Sequence, residues 1–152
     1  MKDHDPDVRV FNQHADELRG KRVCLIGGAG FIGHNMALKL KACGAEVLVI
    51  DGLQVNHLVH IASSPQLEHQ AMYLKFLHER LKLLEEAGVA LNVVDARDYL
   101  KLGTAIRDFQ PQVIIQLAAI AHANRSNKDP FSTFDHSLRT LENALDCARS
   151  TA

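Results

Sequence analysis

Val23-Cys24-Leu25-Ile26-Gly27-Gly28-Ala29-Gly30-Phe31-Ile32-Gly33 joins an apolar run to a glycine loop, and the loop opens a helical run. Four glycines in seven residues, between a strand of the kind buried on both faces and a helix, let backbone come close to a ligand. The group that most often fills such a gap is a pyrophosphate, because free N–H groups at a helix start attract anionic oxygens. Two spacings fit at once: Gly28, Gly30 and Gly33 make G-x-G-x-x-G, while Gly27, Gly30 and Gly33 make G-x-x-G-x-x-G. A tight turn with no ligand would use the same glycines, so context has to decide.

The context is a repeated strand–helix alternation. Apolar strands are expected at Arg22–Ile26, Glu46–Ile50, Ala90–Val94 and Gln112–Leu117. Helices are expected from the glycine loop to about Cys43, over 66–87, 98–109 and 131–149. Leu67, Ala71, Leu74, Leu77, Leu81 and Leu84 recur at helical spacing and suggest one long helix, with 52–64 as a polar connection before it. Short buried strands alternating with helices predict an α/β fold, a three-layer Rossmann-like parallel sheet. Residues 1–19 read as an N-terminal extension, with a short helix at 11–19, and 20–152 as the dinucleotide-binding domain.

Asp51 ends the second strand, 18 positions past Gly33. A carboxylate there can accept from both ribose hydroxyls of an adenosine and repels a 2′-phosphate. Gly52 and Leu53 beside it are not arginines, so NAD is favoured over NADP.

Bulk properties exclude other classes. The chain has 152 residues, 47% hydrophobic and 23% charged, with a formal net charge of −1. That leaves room for one sizeable core and no basic field for nucleic acid. No apolar run reaches the length of a membrane span. Cys24, Cys43 and Cys147 are scattered, as expected of small core residues in a reducing compartment, and a cytoplasmic location is expected. His57 and His60 are the only closely spaced histidine pair, no neighbouring Cys or carboxylate completes a set, and no metal site is assigned.

From Arg22 to Gly33 the sequence resembles the opening of the extended short-chain dehydrogenase/reductase family, the NAD-dependent sugar-nucleotide epimerases and dehydratases. Val94-Asp95-Ala96-Arg97-Asp98 resembles the family segment after strand 3, where the Asp meets the adenine amino group. Val113-Ile114-Ile115-Gln116-Leu117-Ala118-Ala119 resembles the family strand 4 that lies along the cofactor. Asp129-Pro130 and Leu138-Arg139-Thr140-Leu141 resemble the helix after it. Ile26, His34-Asn35, Gln116, His136 and Arg139 depart from the residues usual in the family.

The resemblance implies strand order 3-2-1-4. It implies cofactor contacts at Gly27, Gly30, Phe31, Ile32, Gly33, Asp51, Asp95, Ala96, Leu117, Ala118 and Ala119. It also implies a nucleotide-sugar substrate for the parent enzyme. Family catalysis uses a Tyr with a Lys four residues on. Tyr73 and Tyr99 are followed by Leu77 and Gly103 instead, so no catalytic residue is assigned and the chain alone is expected to be inactive. The chain reads as a truncated, cofactor-binding half. Strand 4 would be an open apolar edge and the last helix would lack a neighbour, so self-association is expected. A non-enzymatic NAD-binding sensor or regulatory module, or a degenerate fragment, would share these features. Arg125 or Lys128, past strand 4, could touch a substrate phosphate or lie in a solvated loop.

Overall fold

In the computed structural model the residues described are 15–54, 57–120 and 128–151. Four strands form one parallel sheet: β1 (Arg22–Ile26), β2 (Glu46–Asp51), β3 (Ala90–Val93) and β4 (Val113–Gln116). Their order is β3-β2-β1-β4. Helices α1 (Phe31–Ala42), α2 (Leu58–Ala62), α3 (Gln70–Glu86), α4 (Tyr99–Phe109) and α5 (Pro130–Thr151) lie between and after the strands.

Period-two alternation sorts the strand residues into two cores. Val23, Leu25, Val47 and Val49 pack with Ala37 and Leu40 of α1 and Leu84 of α3. Cys24, Ile26, Leu48 and Ile50 pack on the other face with Leu102, Ala105 and Ile106 of α4 and Ala144 and Cys147 of α5. Three layers result, because β1 and β2 must be covered on both faces. Burying each large aliphatic side chain contributes about 1.5–3 kcal/mol against leaving it in water. Leu18, on a helical segment at residues 15–18, packs against the first core, and the Gly20 N–H donates to Gly44 O at 2.9 Å.

The long helix expected over 66–87 is not continuous. Helix α2 occupies part of the expected polar connection, and α3 starts only at Gln70. Pro65 lacks an N–H, and His69 stands at φ 58°, a left-handed conformation that a continuing helix cannot hold. The side chain of Gln70 reaches back to the end of α2, donating to Ile61 O (2.6 Å) and Ala62 O (3.0 Å). Leu67 is therefore outside the helix and exposed, while Leu77 and Leu84 are buried.

Helix α5 buries Thr140, Ala144 and Cys147 but exposes Phe131, Phe134, Leu138, Leu141 and Leu145. These five are spaced 3-4-3-4, a continuous apolar stripe along the outer face. β3 and β4 are the outer strands, with Val93 and Val113 exposed. No helix among the described residues is long and apolar enough to cross a membrane.

Candidate functional site

All four strands run parallel, so the loops after β1, β2, β3 and β4 gather at one end of the sheet. The strand order reverses between β1 and β4, and a crevice at such a point is where sheets of this kind take ligands.

The glycine loop builds the floor. Gly27 sits at φ 79° and donates its N–H to Ile50 O at 2.7 Å. A Cβ on Gly33 would lie 2.5 Å from Gly28 Cα, and one on Gly28 would lie 2.9 Å from Leu25 Cβ. These glycines have reasons inside the fold. Gly30 has none among the described residues: its φ is −71°, and of these a Cβ there would meet only Gly27 O, at 3.6 Å. Gly30 is also the N-cap of α1 and offers no side chain to the N–H groups of the first turn. The bare backbone at Gly30 thus leaves a space that a side chain would fill, beneath a positive helix end. Phe31 and Ile32 follow with side chains 74% and 65% exposed, so their contribution to the core is small.

Asp51 is tied to this loop. Its Oδ2 accepts from the Ala29 N–H at 2.9 Å and its Oδ1 from the Leu53 N–H at 2.8 Å. From α3, Arg80 donates through Nη1 to Ala29 O at 3.1 Å. Partial burial pulls the Arg80 guanidinium below its ordinary pKa, and the charge of Asp51 opposes that.

Asp95, after β3, belongs to a charged cluster. Arg97 reaches it through Nη2 at 2.6 Å and Nε at 3.1 Å, and reaches Asp135 of α5 through Nη1 at 2.8 Å. Gln54 Nε2 donates to Asp95 Oδ2 at 2.6 Å. The Arg97 hydrogen bonds are the main reason the Asp95 carboxyl falls to about 2. Ala96 is buried, and its carbonyl accepts from Asn143 Nδ2 at 2.9 Å.

Leu117, Ala118 and Ala119 follow β4. The Leu117 N–H donates to Ile26 O at 2.8 Å, and Ala118 O accepts from Gln116 Nε2 and Thr140 Oγ1, both at 3.0 Å. Gln116 Oε1 is buried with no hydrogen-bond partner among the described residues. The expected glycine-loop, β2-end, β3-end and β4-end residues therefore meet at one end of the sheet. Arg125 lies outside the described residues, and Lys128 begins the approach to α5 as an exposed side chain.

His57 has a local role: it caps α2, its Nδ1 accepting from the His60 N–H at 3.0 Å. Among the described residues no group of three or more His, Cys, Asp or Glu is placed to hold a metal ion. Tyr99 donates its hydroxyl to Asp146 of α5 at 2.5 Å. Sequence reasoning missed Gln54, Arg80 and Asn143, which join the site from neighbouring elements and carry no motif.

A sequence profile described as the NAD dependent epimerase/dehydratase family matches residues 23–152. "Protein CapI" of Staphylococcus aureus is 28% identical over 128 residues, 84% of this chain and 34% of that protein. A dTDP-L-rhamnose 4-epimerase of Burkholderia thailandensis is 32% identical over 106 residues, 70% of this chain and 24% of that protein. The solved Thermus thermophilus UDP-glucose 4-epimerase in complex with NAD is 29% identical with a TM-score of 0.64, covering 86% of this chain and 34% of that one. The chain thus spans about a quarter to a third of the length of these curated relatives.

Proposed function

This chain belongs to the NAD dependent epimerase/dehydratase family, and from that premise we propose that it is the NAD-binding part of an enzyme acting on a nucleotide sugar. The observation that carries the reading is Gly30, a residue without a side chain where the fold itself would admit one. Donors at the start of α1 suit a pyrophosphate, and Gly27, Gly33 and the backbone of Phe31 and Ile32 shape that cradle. Asp51 is the acceptor for the adenosine ribose hydroxyls. Asp95 and Ala96 flank the adenine, and Leu117, Ala118 and Ala119 line the path toward the nicotinamide.

When bound, NAD supplies a hydride acceptor and donor. The chain's own part is to bind and orient it. The Asp51 carboxylate at the ribose edge favours unphosphorylated ribose. Neither tyrosine is followed by a lysine four residues on, and the Tyr99 hydroxyl is engaged with Asp146. Proton transfer is therefore not assigned to these residues, and the chain alone turns no substrate over.

The names of the relatives support a nucleotide-sugar substrate for the parent enzyme. The exposed stripe of α5 supports association with another copy of the chain. Three free thiols fit the reducing cytoplasm.

Calorimetric titration of the chain with NAD⁺ and ADP-ribose tests the reading. Saturable binding that Gly30→Asp abolishes is expected. Absence of binding of either by a folded sample would sink it.

A further inference from the structure

Arg80 lies between Leu77 and Leu84 on α3, at the spacing that puts all three on one helix face, and those two leucines are buried. The face therefore turns toward the sheet and carries Arg80 with it, half-buried, to the glycine loop. There it donates to Ala29 O at 3.1 Å, while Asp51 accepts from the N–H of the same residue at 2.9 Å. A guanidinium and a carboxylate thus hold the two ends of one loop residue, at the place where the adenosine ribose is expected.

We propose that Arg80 is a second determinant of cofactor choice: a latent 2′-phosphate-binding cation whose charge is masked by Asp51. The proposal rests on the dinucleotide reading of the site. A guanidinium carries five N–H donors and keeps its charge whichever of them are engaged, and it matches phosphate geometry. With the Asp51 charge present, a 2′-phosphate meets an anion at the ribose edge and is rejected. With that charge removed, the charged side chain hydrogen-bonded to the loop is the Arg80 cation. Sequence neighbours of Asp51 offer no such group, since Gly52 and Leu53 are uncharged. The electrostatic coupling of Arg80 to Asp51 agrees with this arrangement.

The test uses ADP-ribose and 2′-phospho-ADP-ribose, probes confined to the adenosine half, titrated calorimetrically into four forms of the chain. The natural sequence binds ADP-ribose in preference to the 2′-phosphorylated probe. Asp51→Asn gains affinity for the 2′-phosphorylated probe by about tenfold or more, the scale of one charge-assisted hydrogen bond. Adding Arg80→Met removes that gain, and adding Arg80→Lys in its place retains part of it. A merely structural Arg80 would weaken both probes equally and leave their ratio as it is in Asp51→Asn. No gain in Asp51→Asn, or a gain undiminished by Arg80→Met, overturns the proposal. Failure of the natural chain to bind either probe overturns the dinucleotide reading beneath it.

Discussion

Gly27 and Ala118 are packed so closely that a Cβ on Gly27 would lie 2.5 Å from the Ala118 nitrogen. The contact joins the loop after β1 to the loop after β4 across the reversal of strand order. It also separates two kinds of glycine. Gly27→Ala must move backbone and hold an L-residue at φ 79°, and it is expected to destabilise the chain by about 2–4 kcal/mol. Gly30→Ala meets no backbone of the described residues closer than 3.6 Å and should change stability by under about 1 kcal/mol. Urea midpoints measure both. NAD⁺ affinity should fall in Gly30→Ala although the fold is intact, and equal loss of stability in the two variants would contradict the distinction.

Asp95 gives the chain an acid-sensitive joint. Its carboxyl ordinarily titrates at 3.8 and is held at about 2 in the folded protein, chiefly by hydrogen bonds from Arg97. The folded value is the lower one, so the stabilisation is fully present above pH 3.8 and is lost as pH falls toward 2. With the side chain a third exposed, it contributes about 1 kcal/mol after screening. Asp95→Asn should therefore flatten the stability profile between pH 4 and 2. Thermal midpoints across that range check it, and a variant profile parallel to the natural one would refute the assignment.

Much of the layered fold was legible because the strands are short apolar runs that nothing else explains. Val23–Ile26 and Val47–Ile50 are buried throughout, and their alternation fixes which residues face which helices. Helix α3 was misread because Leu67, Ala71 and Leu74 stay in helical phase across a break set by Pro65 and the positive φ of His69. Periodicity reports which residues share a face, not where a backbone turns. Gly30 and Asp51 were readable because loop and strand end lie at fixed places in the pattern. Arg80 was not. It lies 29 positions beyond Asp51, and only the packing of Leu77 and Leu84 carries it to Ala29.

Buried thiols should be inert in the native chain. Burial, with a smaller contribution from Cys147, pushes the Cys24 thiol up to about 12, and burial raises Cys147 as well. The thiolate is the reactive form, so both should resist labelling at pH 8. Cys43 is covered too. Thiol titration with a disulfide reagent should find slow reaction in buffer and three rapid equivalents in denaturant. Fast native labelling of Cys24 would mean that β1 is less well covered than its packing against α5 implies.

The stripe on α5 makes association testable without reference to activity. Phe131 and Leu145 are 81% and 62% exposed, and Phe134, Leu138 and Leu141 continue the line between them. Apolar side chains at 3-4-3-4 spacing form a seam that a second helix can fill. Leu138→Glu combined with Leu145→Glu places two charges on that seam and leaves Thr140, Ala144 and Cys147 in the core untouched. Light scattering of the natural chain should give a mass above one copy, falling to one copy in the double variant. The melting temperature at low concentration should change little, because both leucines face outward. A natural chain that runs as a monomer at high concentration would show that the seam is not an interface between copies of this chain.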